Sequence, residues 1–381
     1  MKVAIVAESF LPEMNGVTHS LLKILQHLRQ RGDTVLVIAP STTGHHPAVV
    51  EGARVVRLPA VPVTGYRNVR VAIGGVPRVK ALLAAFGPDI VHVASPFVLG
   101  WRGVRAAAEL GIPSVAIYQT DVPGYAAKYG MPFLENWAWT RVENIHLAAS
   151  KTLAPSSDAV AQLRGHGIPR VELWPRGVDT SRFHPEKRSP AFRKMVAPNG
   201  EKVIGYVGRL ALEKQVGDLH AIADIPGTRL VVIGDGPQRQ ALEEALPQAH
   251  FTGFLGGDAL AQAMASLDLF VHPGELETFC QTIQEAMASG IPVVATGKGV
   301  PVDLVDSSRT GWLYQPGELD QLRGYVADLV GDDAKRAAFG AAAFATVQGR
   351  TWTAVCDRLL ELYRDTMAEH SLHHTALKGI K

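Results

Sequence analysis

The sequence predicts an α/β protein made of two doubly wound domains, each with a parallel sheet between helices. Short β-branched runs alternate with longer segments of helical period, which is the pattern of such a sheet. The alternation occurs twice along the 381 residues. Between the two series, the stretch 185–200 is rich in proline and charge, as is typical of a boundary between domains.

Continuous apolar runs in the first series predict buried strands. They are residues 3–7, 35–39, 54–58, 90–93, 114–118 and 152–155. Between the first two strands, apolar residues recur at helical spacing and predict a helix with one apolar face, which Gly32 ends. These residues are Leu21, Ile24, Leu25 and Leu28.

The second series predicts a second sheet of the same kind. Its strands are residues 203–207, 229–234, 250–254, 267–271 and 292–295. An apolar stripe then predicts a final amphipathic helix, and the tail beyond Ser371 is expected to be polar and loosely held. The stripe consists of Trp352, Val355, Cys356, Leu359 and Tyr363.

The composition argues against several classes of protein. A formal net charge of +2 is too small for a nucleic-acid partner, whose phosphates usually demand a concentrated basic patch. Cys280 and Cys356 fit neither a metal-site spacing nor a disulfide framework, which favours a reduced, cytoplasmic setting. The apolar run Val3–Ala7 stops at Glu8, so we expect neither a signal peptide nor an integral membrane protein.

Ligand-binding residues are expected just after strands, because the carboxyl ends of two doubly wound sheets would open on one interdomain cleft. Gly208 follows the strand 203–207, and Arg209 and Lys214 then place two cations there. Arg offers a planar fork to phosphate oxygens and Lys a mobile point charge, so this loop is a candidate diphosphate site. From this motif alone, a solvated turn with two surface cations is the alternative.

A second candidate segment carries two carboxylates around the start of a helix. Glu277 and Glu285 are eight residues apart, and the helix is predicted to begin near Cys280. The backbone N–H groups of Phe279, Cys280 and Gln281 could hold an anion or a sugar hydroxyl, and carboxylates accept hydrogen bonds from vicinal hydroxyls. Two glutamates near a helix start are also common for reasons of the helix dipole alone.

Taken in order, these motifs resemble those of retaining glycosyltransferase family 4 over nearly the whole chain. They are Gly208-Arg209 with Lys214, Ile233-Gly234-Asp235-Gly236-Pro237, Glu277 with Glu285, and the run 286–294. The segments 3–12, 15–17 and 118–124 are most similar to actinobacterial GDP-mannose-dependent α-mannosyltransferases that act on glycolipids.

The resemblance implies a GT-B fold, in which two Rossmann-like α/β domains face each other across a deep cleft. Residues 1–185 would form the acceptor-binding domain, and residues 186–350 would form the nucleotide-sugar-binding domain. Residues 351–381 would supply a C-terminal helix that returns to the first domain, followed by the tail.

The resemblance also implies roles for individual residues. Arg209 and Lys214 would bind the donor pyrophosphate, Glu285 the ribose hydroxyls, and Glu277 with the backbone of 279–281 the transferred sugar. Gly16 would let the backbone approach the diphosphate closely, where a Cβ atom leaves no room. The base would rest against Gly234, Asp235 and the strand end around Gly253 and Phe254, and Gly208 would also line the donor site.

Two positions depart from the family pattern. The family often has Gly where Cys280 stands and His where Gln119 stands. A His there is credited with contacting the donor sugar, whereas Gln forms only neutral hydrogen bonds, and we interpret this as chemistry of the mannosyltransferase subgroup. Asp121 would either orient the acceptor or cap a helix.

We expect neither a cofactor nor a metal site. The sequence has no Asp-x-Asp triplet to hold a metal-bound diphosphate, so Arg209 and Lys214 would stabilise the charge that grows on the leaving group. For retention, front-face attack is favoured, with the departing phosphate oxygen taking the acceptor proton. A short-lived covalent intermediate is the alternative.

The substrates leave several alternatives open. GDP-mannose is the favoured donor, and a UDP-linked glucose or N-acetylglucosamine with a small-molecule acceptor is the alternative. The acceptor would be a lipid-linked or small polar compound, and Trp137 with Trp139 either packs in a core or contacts lipid at a membrane surface. A nucleotide-sugar epimerase and a two-lobed sugar-binding protein are the competing classes.

Overall fold

A computed structural model gives the structure of the chain and describes residues 1–44, 46–63, 66–95, 97–119, 132–275 and 279–378. The chain forms two compact units, Met1–Pro175 with Thr353–Lys381, and Arg176–Trp352. The division therefore falls before the expected boundary at residues 185 and 186. The reason is that Val178 and Phe183 are buried in a core of the second unit.

The strands follow the predicted alternation, with additions. They are β1 (Lys2–Val6), β2 (Thr34–Pro40), β3 (Val49–Val50), β4 (Ala53–Leu58), β5 (Ala60–Val63), β6 (Tyr66–Ala72), β7 (Ile90–Val93), β8 (Ser114–Ile117), β9 (Lys151–Ala154), β10 (Val171–Leu173), β11 (Lys202–Val207), β12 (Thr228–Ile233), β13 (His250–Gly253), β14 (Leu269–His272), β15 (Val293–Thr296) and β16 (Gly311–Tyr314). Every strand predicted from an apolar run is present within a few residues. The sequence did not predict β3, β5, β6, β10 and β16, of which β3 and β10 have only two and three residues.

The helices lie between these strands or follow the last of them. They are α1 (Gly16–Gln30), α2 (Val76–Phe86), α3 (Val98–Leu110), α4 (Pro132–Ala148), α5 (Ser157–Gly165), α6 (Pro190–Val196), α7 (Arg239–Ala245), α8 (Gly257–Ala265), α9 (Gln281–Ala288), α10 (Pro301–Leu304), α11 (Leu319–Gly331), α12 (Asp333–Val347) and α13 (Trp352–Lys378). Within the described ranges, no helix combines the length and the apolar character that crossing a bilayer requires.

In the first unit, the main sheet has the strand order β10-β9-β8-β7-β1-β2-β4-β3. Its pairs are parallel except β3 with β4, and β5 with β6 forms a separate antiparallel hairpin. The order places β8, β7 and β1 side by side, so the residues that follow these strands share one edge of the sheet.

The C-terminal helix α13 is part of the first unit. Leu359 and Tyr363, which belong to its predicted apolar stripe, are fully buried, and so is Leu362. The Tyr363 hydroxyl forms a hydrogen bond with His92 in β7, and Trp174 Nε1 donates to the Val355 carbonyl at 3.0 Å. The helix continues to Lys378, so the loose tail expected beyond Ser371 is helical over most of its length.

In the second unit, all strand pairs are parallel and the order is β13-β12-β11-β14-β15-β16. Alternate residues of each strand enter different cores, as the two-residue period of a strand requires. Val203 and Val207 face one core, whereas Ile204 and Tyr206 face the other. Because both faces of the sheet are covered, β11, β12, β14 and β15 are mostly apolar, which is why the sequence predicts them well.

Candidate functional site

The carboxyl ends of β11, β12 and β13 are joined by backbone contacts too close for side chains. Gly208 N–H donates to the Ile233 carbonyl at 3.0 Å, and Gly234 N–H donates to the Gly253 carbonyl at 2.9 Å. Gly234 has φ +147°, and a Cβ atom on it would lie 1.9 Å from the Gly208 carbonyl oxygen. Only glycine fits at residue 234. The structure thus brings together three glycines that the sequence assigned to the donor site.

The loop after β11 carries the two predicted cations. Arg209 donates from Nη2 to the carboxylate of Glu213, which is 1% exposed, while the Arg209 side chain is 61% exposed. Lys214 is the last residue of the 3₁₀ turn Leu212–Lys214 and is half-buried. A buried carboxylate therefore orients an exposed guanidinium, which keeps donors available for a phosphate.

Glu275, just after β14, joins this loop to two neighbouring ones, and sequence reasoning gave it no role. Its carboxylate accepts from Gln215 Nε2 at 3.0 Å and from Lys298 Nζ at 2.9 Å. Its backbone N–H donates to Gln215 Oε1 at 3.0 Å. Its place directly after a strand was a usable signal, but two other glutamates in the same segment matched the family motif.

The start of α9 has an unusual backbone at Cys280. Cys280 has φ +43° and ψ +50°, the left-handed conformation that favours glycine, and its thiol lies 3.8 Å from His272 Nε2. This conformation is consistent with the expectation that the family often has Gly at this position. Phe279 lies under the buried Arg176 guanidinium, 3.3 Å from the ring centroid, and Gln281 Nε2 donates to the Gly177 carbonyl at 3.1 Å. Glu277 lies outside the described residues.

The partly buried Glu285 in α9 and the buried Arg176 beside Phe279 have shifted pKa values. Burial raises the pKa of the Glu285 carboxyl to about 8, and the nearby charge of Asp179 adds to this shift. The charge of Arg182 and a hydrogen bond from Gln281 act in the opposite direction. Burial lowers the pKa of the Arg176 guanidinium to about 9. Glu285 is therefore protonated near neutral pH unless a ligand supplies hydrogen-bond donors to its carboxylate.

The end of β13 presents an exposed aromatic ring. The Phe254 side chain is 80% exposed directly after Gly253. A Cβ atom on Gly253 would lie 3.2 Å from Arg239 Nη1, and Arg239 Nη1 lies 3.4 Å from Asp235 Oδ2. Asp235 Oδ1 accepts from Gly236 N–H at 2.7 Å. The ring of Phe254 is suited to stacking with a purine or pyrimidine, and the carboxylate and guanidinium groups at this strand end are suited to hydrogen bonding with its edge.

Gly16 and Gln119 belong to the first unit. Gly16 is the first residue of α1, and the side chain of Asn15 caps that helix by accepting from Thr18 N–H at 3.0 Å. Gln119 follows β8, is buried, and donates from Nε2 to the Ala94 carbonyl at 3.0 Å. Asp121 lies outside the described residues.

Glu8 is a further carboxyl at this edge, two residues after β1 and partly buried, and the sequence motifs pointed to no role for it in a site. Its carboxylate accepts from Leu99 N–H and, at 3.0 Å, from Gly100 N–H at the start of α3. Burial raises its pKa to about 7, against the effect of these N–H groups and of Arg102. It therefore serves as an N-terminal cap of α3 that is close to its titration point at neutral pH.

Elsewhere, the two tryptophans named from the sequence have different surroundings. Trp139 stacks on His166, with ring centroids 3.6 Å apart, and on Tyr118. Trp137 is 46% exposed, and the Arg141 guanidinium lies 5.7 Å from its ring centroid.

In the described part of the chain, no three His, Cys, Asp or Glu side chains are grouped as a metal site would require.

Fold and site together define a class of protein. The unit Arg176–Trp352 has a cationic loop, a glycine layer, an exposed aromatic ring and the start of a helix at the carboxyl ends of a parallel sheet. This combination suits a nucleoside diphosphate bearing a group to be transferred. It is the arrangement of a nucleotide-sugar-dependent transferase with two doubly wound domains.

Comparison with known proteins names the family. The model of Glycosyltransferase Family 4 matches residues 14–182, and that of Glycosyl transferases group 1 matches residues 187–346. The chain belongs to glycosyltransferase family 4, as the sequence motifs indicated.

Two relatives are similar over almost their whole length. A GDP-mannose-dependent alpha-mannosyltransferase of Mycolicibacterium smegmatis is 48% identical over 98% of this chain and 99% of its own. One with the same name from Corynebacterium glutamicum is 45% identical over 97% of this chain and 90% of its own.

Solved structures agree on the fold. HepE of Anabaena in complex with UDP has a TM-score of 0.78 at 20% identity, covering 96% of this chain and 100% of its own. Sucrose-phosphate synthase of Thermosynechococcus elongatus has a TM-score of 0.82 at 22% identity, covering 97% and 99%. At these identities the likeness concerns the GT-B fold alone.

Proposed function

We propose that this chain is a retaining α-mannosyltransferase that transfers mannose from GDP-mannose to a hydroxyl group of a glycolipid, without a metal ion. The observation that carries the proposal is the loop with Arg209 and Lys214, which adjoins the glycine layer of Gly208, Gly234 and Gly253. The mannose and the guanine are supported by the names of the relatives that are 45% and 48% identical.

The residue roles are part of this proposal. Arg209 and Lys214 bind the diphosphate, and Glu285 accepts hydrogen bonds from the ribose hydroxyls. Glu277 and the backbone at the start of α9 hold the mannose. The base rests against Phe254, with Asp235 near its edge. Carboxylates suit both sugars because each oxygen accepts more than one hydrogen bond.

The chemistry follows from where charge develops. As the bond between mannose and phosphate breaks, negative charge grows on the leaving diphosphate, and cations fixed beside it stabilise the transition state more than the ground state. The acceptor hydroxyl attacks from the same face, and the departing phosphate oxygen takes its proton. Gln119 contributes neutral hydrogen bonds, and Asp121 orients the acceptor.

The acceptor is proposed to be presented at the inner face of a membrane. Trp137 and Arg141 support this, because an exposed indole with a cation above it suits the interface between lipid headgroups and acyl chains. Trp139 makes no such contribution, since it stacks on His166.

A nucleotide screen followed by a transfer assay tests the proposal. GDP and GDP-mannose should raise the melting temperature without magnesium, because a ligand that binds the folded state stabilises it by mass action. Labelled mannose should then appear in a glycolipid fraction. Stabilisation by UDP compounds alone would overturn the donor, a requirement for magnesium would overturn the metal-free mechanism, and an epimer formed from donor alone would replace the transferase.

A further inference from the structure

Two side chains lock the loops after β11 and β14 together, and one of them directly follows Lys214. Gln215 Nε2 donates to Glu275 Oε1 at 3.0 Å, and Glu275 N–H donates to Gln215 Oε1 at 3.0 Å. Because donor and acceptor of the same amide are both used, its position and its orientation are fixed. The other carboxylate oxygen of Glu275 accepts from Lys298, which follows β15.

The backbone of Gln215 needs this support. Gln215 has φ +51° and ψ +33°, a left-handed conformation that a residue with a side chain adopts only at an energetic cost. Such conformations persist where surrounding contacts over-determine them. Here the two hydrogen bonds to Glu275 hold Gln215, which caps the C-terminal end of the 3₁₀ turn. Lys214 is the last residue of that turn.

We infer that Glu275 is a positioning residue of the donor site, which holds the turn so that Lys214 meets the leaving diphosphate. This inference rests on the proposed function of Lys214. Electrostatic catalysis depends on cations that are in place before the charge develops, and a misplacement of about 1 Å costs on the order of a hundredfold in rate. Glu275 touches no reacting atom and acts through Gln215.

The first test compares three variants. Gln215→Ala removes both hydrogen bonds of the lock, and Glu275→Ala removes the one that its carboxylate accepts. In each variant we expect kcat to fall about tenfold or more with the donor KM within about twofold. Lys298→Ala is the matched control, because its partly exposed ion pair with Glu275 leaves both bonds to Gln215 intact. Glu275→Gln keeps an acceptor for Gln215, so it should retain activity within about threefold. An equal loss in Glu275→Gln and Glu275→Ala would overturn the inference.

The second test separates positioning from general damage to the fold. In a Lys214→Ala background, Glu275→Ala should cause less than about a twofold further loss, since the side chain it positions is gone. The same fold-loss in both backgrounds would mean a structural role and would overturn the inference. Melting temperatures recorded in parallel show whether each variant is folded.

The same double-mutant comparison of Glu275→Ala and Lys214→Ala can be made without measuring turnover, by calorimetric titration of GDP. Glu275→Ala should weaken GDP binding about fivefold in the wild-type background and leave it unchanged in the Lys214→Ala background. If mannosyl transfer is absent but GDP or another nucleoside diphosphate binds, the cycle is run with that nucleotide. Failure of the proposed function and failure of the positioning role therefore give different results.

Discussion

Arg209 and Lys214 differ in how the protein holds them. The Arg209 guanidinium is oriented by the buried Glu213 carboxylate, whereas Lys214 depends on the turn that it ends. Arg has a rigid fork of donors that keeps its geometry when one donor is already used, while the Lys ammonium is a flexible point charge. Correct placement of the backbone thus matters more for Lys214 than for Arg209.

Removal of either cation should slow the transfer step. We expect Lys214→Ala and Arg209→Ala each to lose about 2 to 4 kcal/mol of transition-state stabilisation, mostly in kcat, because the charge they stabilise develops during the reaction. Steady-state kinetics with GDP-mannose measures this. Lys194→Ala, an exposed lysine of the same unit, is the control and should be unchanged. Wild-type turnover in Lys214→Ala would rule out its role at the diphosphate.

Glu285 should make nucleotide binding depend on pH. Its pKa in the free protein is about 8, and in the proposed complex the ribose hydroxyls would donate to the ionised carboxylate, so binding should expel a proton below that pH. GDP affinity should therefore rise as the pH rises from 6 to 8, and Glu285→Gln should abolish the slope. Calorimetry in buffers of different ionisation enthalpy counts the released proton. A slope that persists in Glu285→Gln would assign the proton to another group.

The same shift has a consequence for stability. A carboxyl whose pKa is raised in the folded state binds its proton more tightly there than in the unfolded chain. Its contribution to the free energy of unfolding is full below the unfolded pKa of 4.5 and is lost as the pH rises through about 8. Glu285 is thus a residue kept at some cost to stability at neutral pH, as is common at functional sites.

Among the elements, β11 and α6 are connected by the carboxylate of Asp268. It accepts from Val203 N–H at 2.7 Å and from Arg188 Nη2 at 2.9 Å, and it also pairs with Arg193 in α6. These hydrogen bonds lower its pKa despite its burial. One side chain therefore fixes the start of the strand that leads to the cationic loop.

Replacing Asp268 should weaken the second unit. We expect Asp268→Ala to lower the free energy of unfolding by about 3 kcal/mol, because two guanidinium groups and a backbone N–H lose their acceptor. The contribution of a carboxyl with a lowered pKa is present above its unfolded pKa of 3.8 and is lost as the pH falls through its folded pKa. Urea denaturation at pH 7 and at pH 3 should show a smaller difference from wild type at pH 3. A pH-independent difference would show that packing, not charge, makes the contribution.

For the whole molecule, the two ends of the second unit meet. Val178 pairs with Thr351 in a parallel bridge, and Val178 N–H donates to the Arg350 carbonyl at 2.9 Å. At Gly177 a Cβ atom would lie 2.7 Å from the Trp352 backbone, so the chain passes there without room for a side chain. The segment where the chain enters the second unit and the segment where it leaves that unit are thus held next to each other.

This closure predicts that residues 176–352 fold alone. The fragment contains both cores of its sheet and all described donor-site residues of the second unit, so it should melt cooperatively and be stabilised by GDP. Differential scanning calorimetry with and without GDP measures both properties, and the Lys214→Ala fragment is the control that should respond less. A fragment with no transition would show that the unit depends on the rest of the chain.

The family, the cations after β11 and every strand of the two sheets except the edge strands β3, β10 and β16 could be predicted from the sequence alone. Strands covered on both faces are continuous apolar runs, and a loop that binds phosphate needs cations directly after a strand, so both features can be recognised locally. The expected departures from the family pattern at Gln119 and Cys280 could also be identified in the sequence. The backbone of Cys280 then supplied the reason for the second, since its φ is +43°.

Which groups face one another could not be predicted from the sequence and follows from the folded structure. The first unit ends at Pro175 because Val178 and Phe183, in a polar-looking stretch, are buried in the second core. Glu275, Glu277 and Glu285 are residues of the same type, so the sequence does not distinguish their environments. In the folded protein Glu275 is hydrogen-bonded to Gln215, and burial raises the pKa of Glu285. A sequence records which side chains can ionise or donate, but burial and neighbours far along the chain set their charge and partners.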